Sequence, residues 1–171
     1  MLGLYDEWKG LRLNIKIAAS ENIDELMKLY SASVTVTKRI RRNSYLEPVR
    51  KPDRQFLEYV IRGRDEDFIL IRDCDKMIGF ALVMEKTFNR IYESGKRVLY
   101  IADLFVVPSY RRKGVGSQLL AEAKRWGRRR NLTEIEVRVS ANNKPAMRFY
   151  EKHRLYESAK TFLGKLDTEF E

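Results

Sequence analysis

The chain has 171 residues, of which 44% are apolar and 34% charged, as expected for one soluble globular domain with a sizeable core. No apolar run approaches the roughly 20 residues of a membrane span, and the N-terminus lacks the regions of a secretory signal, so we expect a cytoplasmic protein that does not bind membranes. Cys74 is the only cysteine and His153 the only histidine, which excludes an intrachain disulfide and argues against a metal site.

The net charge of +10 suggests a nucleic-acid partner as one hypothesis. A basic run, Lys-Arg-Ile-Arg-Arg at residues 38–42, fits that hypothesis. However, no zinc-finger or RNP-type pattern supports it. We therefore favour a solvated basic surface, which also suits a phosphate-bearing ligand or an acidic acceptor, and we do not expect a nucleic-acid partner.

Alternating and helical spacings of apolar residues predict a chain of strands and helices. In chain order these are a strand at 11–17, a helix from Ser20, a helix from Pro52, strands at 68–71, 77–87 and 98–107, a helix from Val115, a strand at 134–140, a helix from Pro145 to His153, and one or two closing strands over 155–165.

Three stretches carry less clear signals. Residues 1–10 are expected to be a loosely ordered lead-in. The polar stretch 31–50, which contains the basic run, either continues the first helix or forms a loop. Cys74 falls at the tip of a predicted hairpin and is therefore a poor candidate nucleophile.

The stretch Ile101–Ser117 is predicted to form a strand, a short loop and a helix. Three cations occupy 111–113, and Gly114 and Gly116 follow at the start of the helix. Glycines let backbone N–H groups approach a ligand, and a helix N-terminus favours negative charge, so the loop predicts an anion site. The P-loop pattern does not fit, and the dinucleotide fingerprint needs a third glycine where Leu119 stands.

A second segment, Asn143–Lys152, has the pattern Asn-x-x-Ala-x-x-x-Tyr-Glu-Lys. Ala146 and Tyr150 are four residues apart and so share one helix face. The small residue would let a ligand chain pass beside the helix, and the tyrosine hydroxyl would meet the end of that chain. Taken alone, the segment is better explained by a helix cap at Asn143 and a half-buried helix aromatic at Tyr150.

Together, the Arg111-x-x-Gly114-x-Gly116 loop and the Asn143–Lys152 segment resemble the two cofactor segments of the GNAT superfamily of N-acetyltransferases, and the similarity covers nearly the whole chain. It implies an α/β (α+β) fold with a mixed, mostly antiparallel sheet flanked by helices, in the order β-α-α-β-β-β-α-β-α-β, as a single acetyltransferase domain over 1–171. One departure is Arg154, where members of the family often have glycine. We expect the chain reversal there to use a different backbone geometry.

The resemblance implies direct transfer of the acetyl group of acetyl-CoA to a primary amine through a ternary complex. The backbone of residues 104–106 would bind the pantetheine arm as an added strand would, and the amides of 112–117 would hold the pyrophosphate. The side chains of Arg111 and Lys113 would add positive charge. The implied cofactor-binding residues are Leu104, Phe105, Val106, Arg111, Arg112, Lys113, Gly114, Val115, Gly116, Ser117, Asn143 and Ala146.

The same resemblance assigns roles to the second segment. Asn143 would bind the amide region of the cofactor, and Tyr150 would protonate the departing thiolate. A phenol, whose ordinary pKa is about 10, can supply that proton.

The acceptor amine must lose a proton, because an alkylamine with a pKa near about 10.4 is mostly charged at pH 7. Asp103 lies on the strand where some relatives carry a catalytic carboxylate. Asp103 is expected to share a strand face with Ile101 and Phe105, so it also fits a buried or edge carboxylate. Glu85 and Glu136 are further candidates, and the general base stays open.

The leading hypothesis is an N-acetyltransferase acting on a small amine, a polyamine, or a protein N-terminal or lysine amine. A non-catalytic acyl-CoA-binding regulatory module is the first alternative. A basic nucleic-acid-binding module using Thr37–Arg42 is the second. A homodimer is common in such folds, and the sequence leaves it open.

Overall fold

The computed structural model describes residues 6–8, 10–40, 53–90 and 93–162. Within these ranges six strands form one sheet in chain order: β1 (Asp6–Trp8), β2 (Leu11–Ile17), β3 (Glu66–Asp73), β4 (Lys76–Arg90), β5 (Glu93–Val106) and β6 (Ile135–Val137). All neighbouring strands are antiparallel except β5 and β6, which are parallel. The predicted mixed, mostly antiparallel α/β class is confirmed.

The described ranges also contain four helices: α1 (Ile23–Ile40), α2 (Arg54–Arg62), α3 (Val115–Arg129) and α4 (Lys144–Lys152). Since α1 continues to Ile40, the helical interpretation of the basic run holds for 38–40, and residues 41–42 lie outside the described residues. None of these helices is both long and apolar enough to cross a membrane.

The chain divides into two compact units. One comprises Met1–Ser33 and Pro52–Arg138 and contains the sheet, α2, α3 and the first part of α1. The other comprises Val34–Lys51 and Val139–Glu171 and contains the rest of α1 and α4. That residues 1–171 form a single domain stays a prediction.

An aromatic cluster covers one face of the sheet. The Tyr30 ring of α1 lies 5.1 Å from the ring of Phe80 and 5.8 Å from that of Phe68, centroid to centroid. Phe56 of α2 lies 6.2 Å from Tyr30. Phe68 and Phe80 are fully buried, so α1 and α2 are held on this face by apolar burial and edge-to-face ring contacts.

The other face of the sheet is covered by α3, which is anchored at both ends. Near its start, the Leu119 side chain packs over Gly79 of β4. The packing is so close that a Cβ added at Gly79 would lie 3.3 Å from Leu119. Near its end, the Trp126 indole donates a hydrogen bond of 2.6 Å to Asp67 of β3, and the Arg130 guanidinium lies 3.8 Å from the Trp126 ring. These contacts fix the direction of α3 and hence the position of the loop that precedes it.

A β-bulge interrupts β5 where it pairs with β4. Leu82 pairs with Asp103 but Val83 pairs with Ile101, so Ala102 is an extra residue. Leu82 and Val83 are successive and so point to opposite faces, and paired residues share a face. Asp103 and Ile101 therefore lie on opposite faces of the sheet. The prediction that Asp103 shares a face with Ile101 is therefore wrong. Asp103 still shares its face with Phe105, which is the face that α1 and α2 cover.

The two ends of the predicted element order also need correction. Within the predicted lead-in, residues 6–8 form β1, which pairs with β2 across a turn where Gly10 has a φ of +76°. At the other end, residues 155–162 form no strand, and residues 163–165 lie outside the described residues. Tyr156 and Phe162 are 86% and 90% exposed, so the weak alternation there does not mark a buried strand face.

Candidate functional site

Over its last residues, β5 has a neighbouring strand on one side only, within the part of the chain that the structure describes. The parallel pairing with β6 ends where Ile101 meets Val137. On the β4 side, the Val107 N–H donates to the Ile78 carbonyl at 2.9 Å. Because backbone groups of an antiparallel strand alternate in direction, Leu104 and Val106 turn theirs away from β4. We call the backbone of Ala102–Val106 on this side the open edge.

The open edge leads directly into the loop that contains the cations at 111–113 and Gly114, which we call the glycine loop. After Val106 the chain makes a short 3-10 turn at Pro108–Tyr110 and then residues 111–114 reach the start of α3. Two residues of the loop are left-handed, Arg112 with a φ of 64° and Gly114 with a φ of 87°. Such alternation turns successive N–H groups toward one point, and the first turn of a helix presents N–H groups that the helix itself does not use.

The side chains of the loop differ in what they contact. The Arg111 Nε donates a hydrogen bond of 2.9 Å to the Val106 carbonyl, and its guanidinium lies 5.8 Å from the Phe105 ring. The Lys113 ammonium lies 5.2 Å from the Tyr110 ring within the loop. Residues 111–113 are all exposed, so the loop presents positive charge beside the N-terminus of α3.

Asp103 is held by a residue that the sequence did not single out. The Tyr30 hydroxyl donates a hydrogen bond of 2.9 Å to Asp103 Oδ2. Burial, and then the charge of Asp103, raise the pKa of Tyr30 above its ordinary value, so the phenol stays protonated and acts as a donor. In the sequence, Tyr30 fits the apolar face of a helix, and no local pattern distinguishes it from a core aromatic.

The two other candidate bases have different surroundings. The Arg97 guanidinium donates to both oxygens of Glu85, with Nη2 2.7 Å from Oε2, and this contact lowers the pKa of Glu85. A carboxylate held in this ion pair is a weaker proton acceptor. Glu136 lies half-buried on β6, opposite Tyr100.

The second unit contains the other predicted site residues, Asn143 just before α4 and Ala146 and Tyr150 on it. The Asn143 side chain accepts a hydrogen bond of 3.2 Å from the Ala146 N–H, so it caps the helix. Ala146 is half-buried and Tyr150 is buried, with the Tyr150 ring 5.1 Å from that of Phe149.

The end of α4 corrects the expectation for Arg154. Its φ is 65°, in the left-handed region, and the Leu155 N–H donates to the Tyr150 carbonyl at 3.1 Å. This is the reversal that glycine commonly makes at a helix C-terminus. The prediction of a different backbone geometry is therefore wrong, because an arginine adopts the glycine-like geometry here.

The sequence and the fold are both similar to those of known acetyltransferases. A family model described as the acetyltransferase (GNAT) family matches residues 24–154. An uncharacterised N-acetyltransferase of Archaeoglobus fulgidus is 28% identical over 139 residues, which are 81% of this chain and 89% of that protein. An aminoglycoside N(6')-acetyltransferase type 1 of Salmonella typhimurium is 33% identical over 69 residues, which are 39% of this chain and 46% of that protein.

A solved structure shares the fold. It is that of AAC(6')-Iy in complex with a CoA-linked bisubstrate analogue. Its TM-score is 0.69 at 18% identity, and the match covers 91% of this chain and 99% of that one. At this identity the likeness shows the arrangement of strands and helices.

Proposed function

The chain belongs to the acetyltransferase (GNAT) family, and from this membership we propose that it transfers the acetyl group of acetyl-CoA directly to a primary amine of a small molecule. The membership confirms the sequence prediction of an acetyl-CoA-dependent acetyltransferase. The roles of individual residues and the class of acceptor are our proposal.

The continuous path from the open edge into the glycine loop carries the proposal. The outward-facing backbone groups of Leu104 and the N–H of Val106 suit the amide groups of a pantetheine arm, which would pair with them as a strand would. The left-handed residues Arg112 and Gly114 and the start of α3 suit a pyrophosphate. The donors present therefore fit acetyl-CoA, which supplies an acetyl group activated as a thioester.

Asp103 is the residue that we assign to the acceptor amine. An alkylammonium is mostly protonated at pH 7, so it must be attracted to the site and then lose a proton. A half-buried carboxylate does both, and Tyr30 keeps Asp103 in one orientation through its hydrogen bond. The ion pair with Arg97 makes Glu85 the weaker choice.

We assign the opposite proton transfer to Tyr150. Its hydroxyl would give a proton to the departing thiolate as the C–S bond breaks, which yields a neutral thiol. The second proton of the attacking amine would pass to the tyrosinate, which yields the neutral amide and restores Tyr150. The proton that Asp103 took from the ammonium group would leave to solvent, so the chain returns to its starting protonation. The buried position of Tyr150 restricts its rotamers, which suits a positioned donor. Ala146, one turn earlier, leaves room beside the helix for a ligand chain.

A small-molecule acceptor is supported by two of the similar proteins, the Salmonella protein and AAC(6')-Iy, both aminoglycoside acetyltransferases by name. An acidic group at Asp103 is also suited to a cationic amine. We therefore propose an amine with at least one primary ammonium group on a small, polar molecule.

The test is release of coenzyme A from acetyl-CoA in the presence of an amine panel. The panel contains aminoglycosides, polyamines and lysine-containing peptides, with an amine-free reaction as control. Turnover with aminoglycosides or polyamines, and formation of the N-acetyl product by mass, are expected. Turnover with peptides alone would contradict the small-molecule class. Acetyl-CoA binding without turnover on any amine would favour a non-catalytic module instead.

A further inference from the structure

The side chain of Arg111 turns back onto the strand that precedes it. Its Nε donates to the Val106 carbonyl at 2.9 Å, and its guanidinium lies 5.8 Å from the ring of Phe105. Both contacts are with the last two residues of β5. In the sequence, Arg111 counts as one of three loop cations and is expected to add charge for a phosphate.

The carbonyl that Arg111 binds belongs to the open edge. Val106 pairs with Gly79, and the next residue, Val107, donates its N–H to Ile78 of β4. Because backbone groups alternate in direction along the strand, the N–H and C=O of Val106 point away from β4. The guanidinium therefore ends the row of outward backbone groups. A ligand chain that pairs with the edge has Leu104 and the Val106 N–H as its remaining partners there.

The backbone of Arg111 is held as well. Its N–H donates to the Pro108 carbonyl at 3.2 Å, which closes the 3-10 turn, and the next residue, Arg112, is left-handed. One residue thus joins the end of β5 to the start of the glycine loop at a fixed separation. A change in the Arg111 side chain would remove its contacts with Phe105 and Val106 and leave only the backbone bond to Pro108 between the two halves of the proposed cofactor site.

We propose that Arg111 is a positioning residue, which closes the open edge at Val106 and fixes that edge to the glycine loop, rather than a ligand of the cofactor phosphates. The proposal rests on the proposed function, since it concerns the same acetyl-CoA site. It separates the roles of the loop cations: Lys113 contributes charge, whereas Arg111 contributes geometry.

Two acetyl donors distinguish these roles. Acetyl-CoA has the pyrophosphate, whereas S-acetylpantetheine has the same arm without phosphates. For Arg111→Ala, we expect KM to rise by the same factor for both donors, about tenfold to a hundredfold for the loss of one hydrogen bond from a charged group, with kcat changed less than twofold. For the contrasting variant Lys113→Ala, we expect KM to rise for acetyl-CoA alone. A rise confined to acetyl-CoA in Arg111→Ala would overturn the proposal.

A conservative variant provides an independent test. Glutamine has an N–H donor but no charge, so Arg111→Gln should recover part of the KM lost in Arg111→Ala if donation to Val106 matters. Arg111→Lys keeps the charge, and full recovery by lysine with none by glutamine would overturn the proposal. If Arg111→Ala does not fold, as judged by thermal unfolding without donor, these two variants decide the question.

The wild-type protein separates this proposal from the proposed function. If the wild type neither binds nor uses either donor, the proposed function fails. If the wild type uses both donors and Arg111→Ala leaves KM for S-acetylpantetheine unchanged, only the role of Arg111 fails. An arginine on α3, Arg125→Ala, is the matched control, because its side chain pairs with Glu122 on the same helix.

Discussion

Tyr30 of α1 and Asp103 of β5, 73 residues apart in the sequence, are joined by a hydrogen bond of 2.9 Å. The bond forms because Asp103 pairs with Leu82 and shares with Phe105 the face of the sheet that α1 covers. The bulge at Ala102 interrupts the alternation just before Asp103, so Ile101 lies on the opposite face. The regular pairing of Asp103–Val106 with β4 therefore aims the carboxylate that we propose as the general base.

Asp103→Asn is expected to lower turnover by about a hundredfold, the usual range for loss of a general base. Tyr30→Phe is the matched variant, since it removes the hydrogen bond but leaves the carboxylate. We expect it to lower turnover less than tenfold and to lower the free energy of unfolding by about 1 kcal/mol. Steady-state kinetics and urea unfolding measure the two effects. Wild-type turnover in Asp103→Asn would exclude Asp103 as the base.

Tyr150→Phe is expected to slow turnover by about a hundredfold while the Kd for acetyl-CoA changes less than twofold, because only the proton donor is removed. Tyr156→Phe is the control, since Tyr156 is 86% exposed and lies just beyond α4. Turnover and equilibrium binding are measured on both variants. Equal turnover in the two would remove Tyr150 from the mechanism.

Gly114→Ala is expected to lower the free energy of unfolding by about 1 kcal/mol, because its φ of 87° is strained for a residue with a Cβ. The same change at Gly95, with a φ of 81° and open space around the added Cβ, carries a similar strain elsewhere. We expect only Gly114→Ala to weaken acetyl-CoA binding. Equal affinities in the two variants would mean that the loop does not hold the pyrophosphate.

Arg154→Gly is expected to raise the free energy of unfolding by about 0.5–1 kcal/mol, since arginine is strained at a φ of 65° and its side chain is exposed. Asn131→Gly, at a φ of 57°, is expected to give a smaller gain because asparagine tolerates this region better. Chemical unfolding of both variants measures the difference. A loss of stability in Arg154→Gly would show that the side chain makes a contact that outweighs the strain.

Features that depend on neighbouring residues could be predicted from the sequence. The glycine loop lies between a strand and α3, and Asn143 caps α4. Caps, turns and amphipathic faces are decided within a few residues, so their patterns are readable.

Features that depend on pairing between distant segments could not be predicted. The bulge at Ala102 appears only when β5 is set against β4, and the Tyr30–Asp103 bond appears only when α1 lies on the sheet. The side chain of Arg111 looks like a loop cation until the direction of the Val106 carbonyl is known. Arg154 shows the converse, because a residue rarely found at positive φ is held there by its surroundings.

The most direct test of the acetyl-CoA site is a thermal-unfolding titration of the wild-type protein with acetyl-CoA. At about a hundred times the Kd, ligand linkage adds about 2.7 kcal/mol of stability, which should raise Tm by several degrees for a chain of this size. A saturable rise of that order is the expected result. No rise at millimolar acetyl-CoA would contradict the assignment of the open edge and the glycine loop as its binding site.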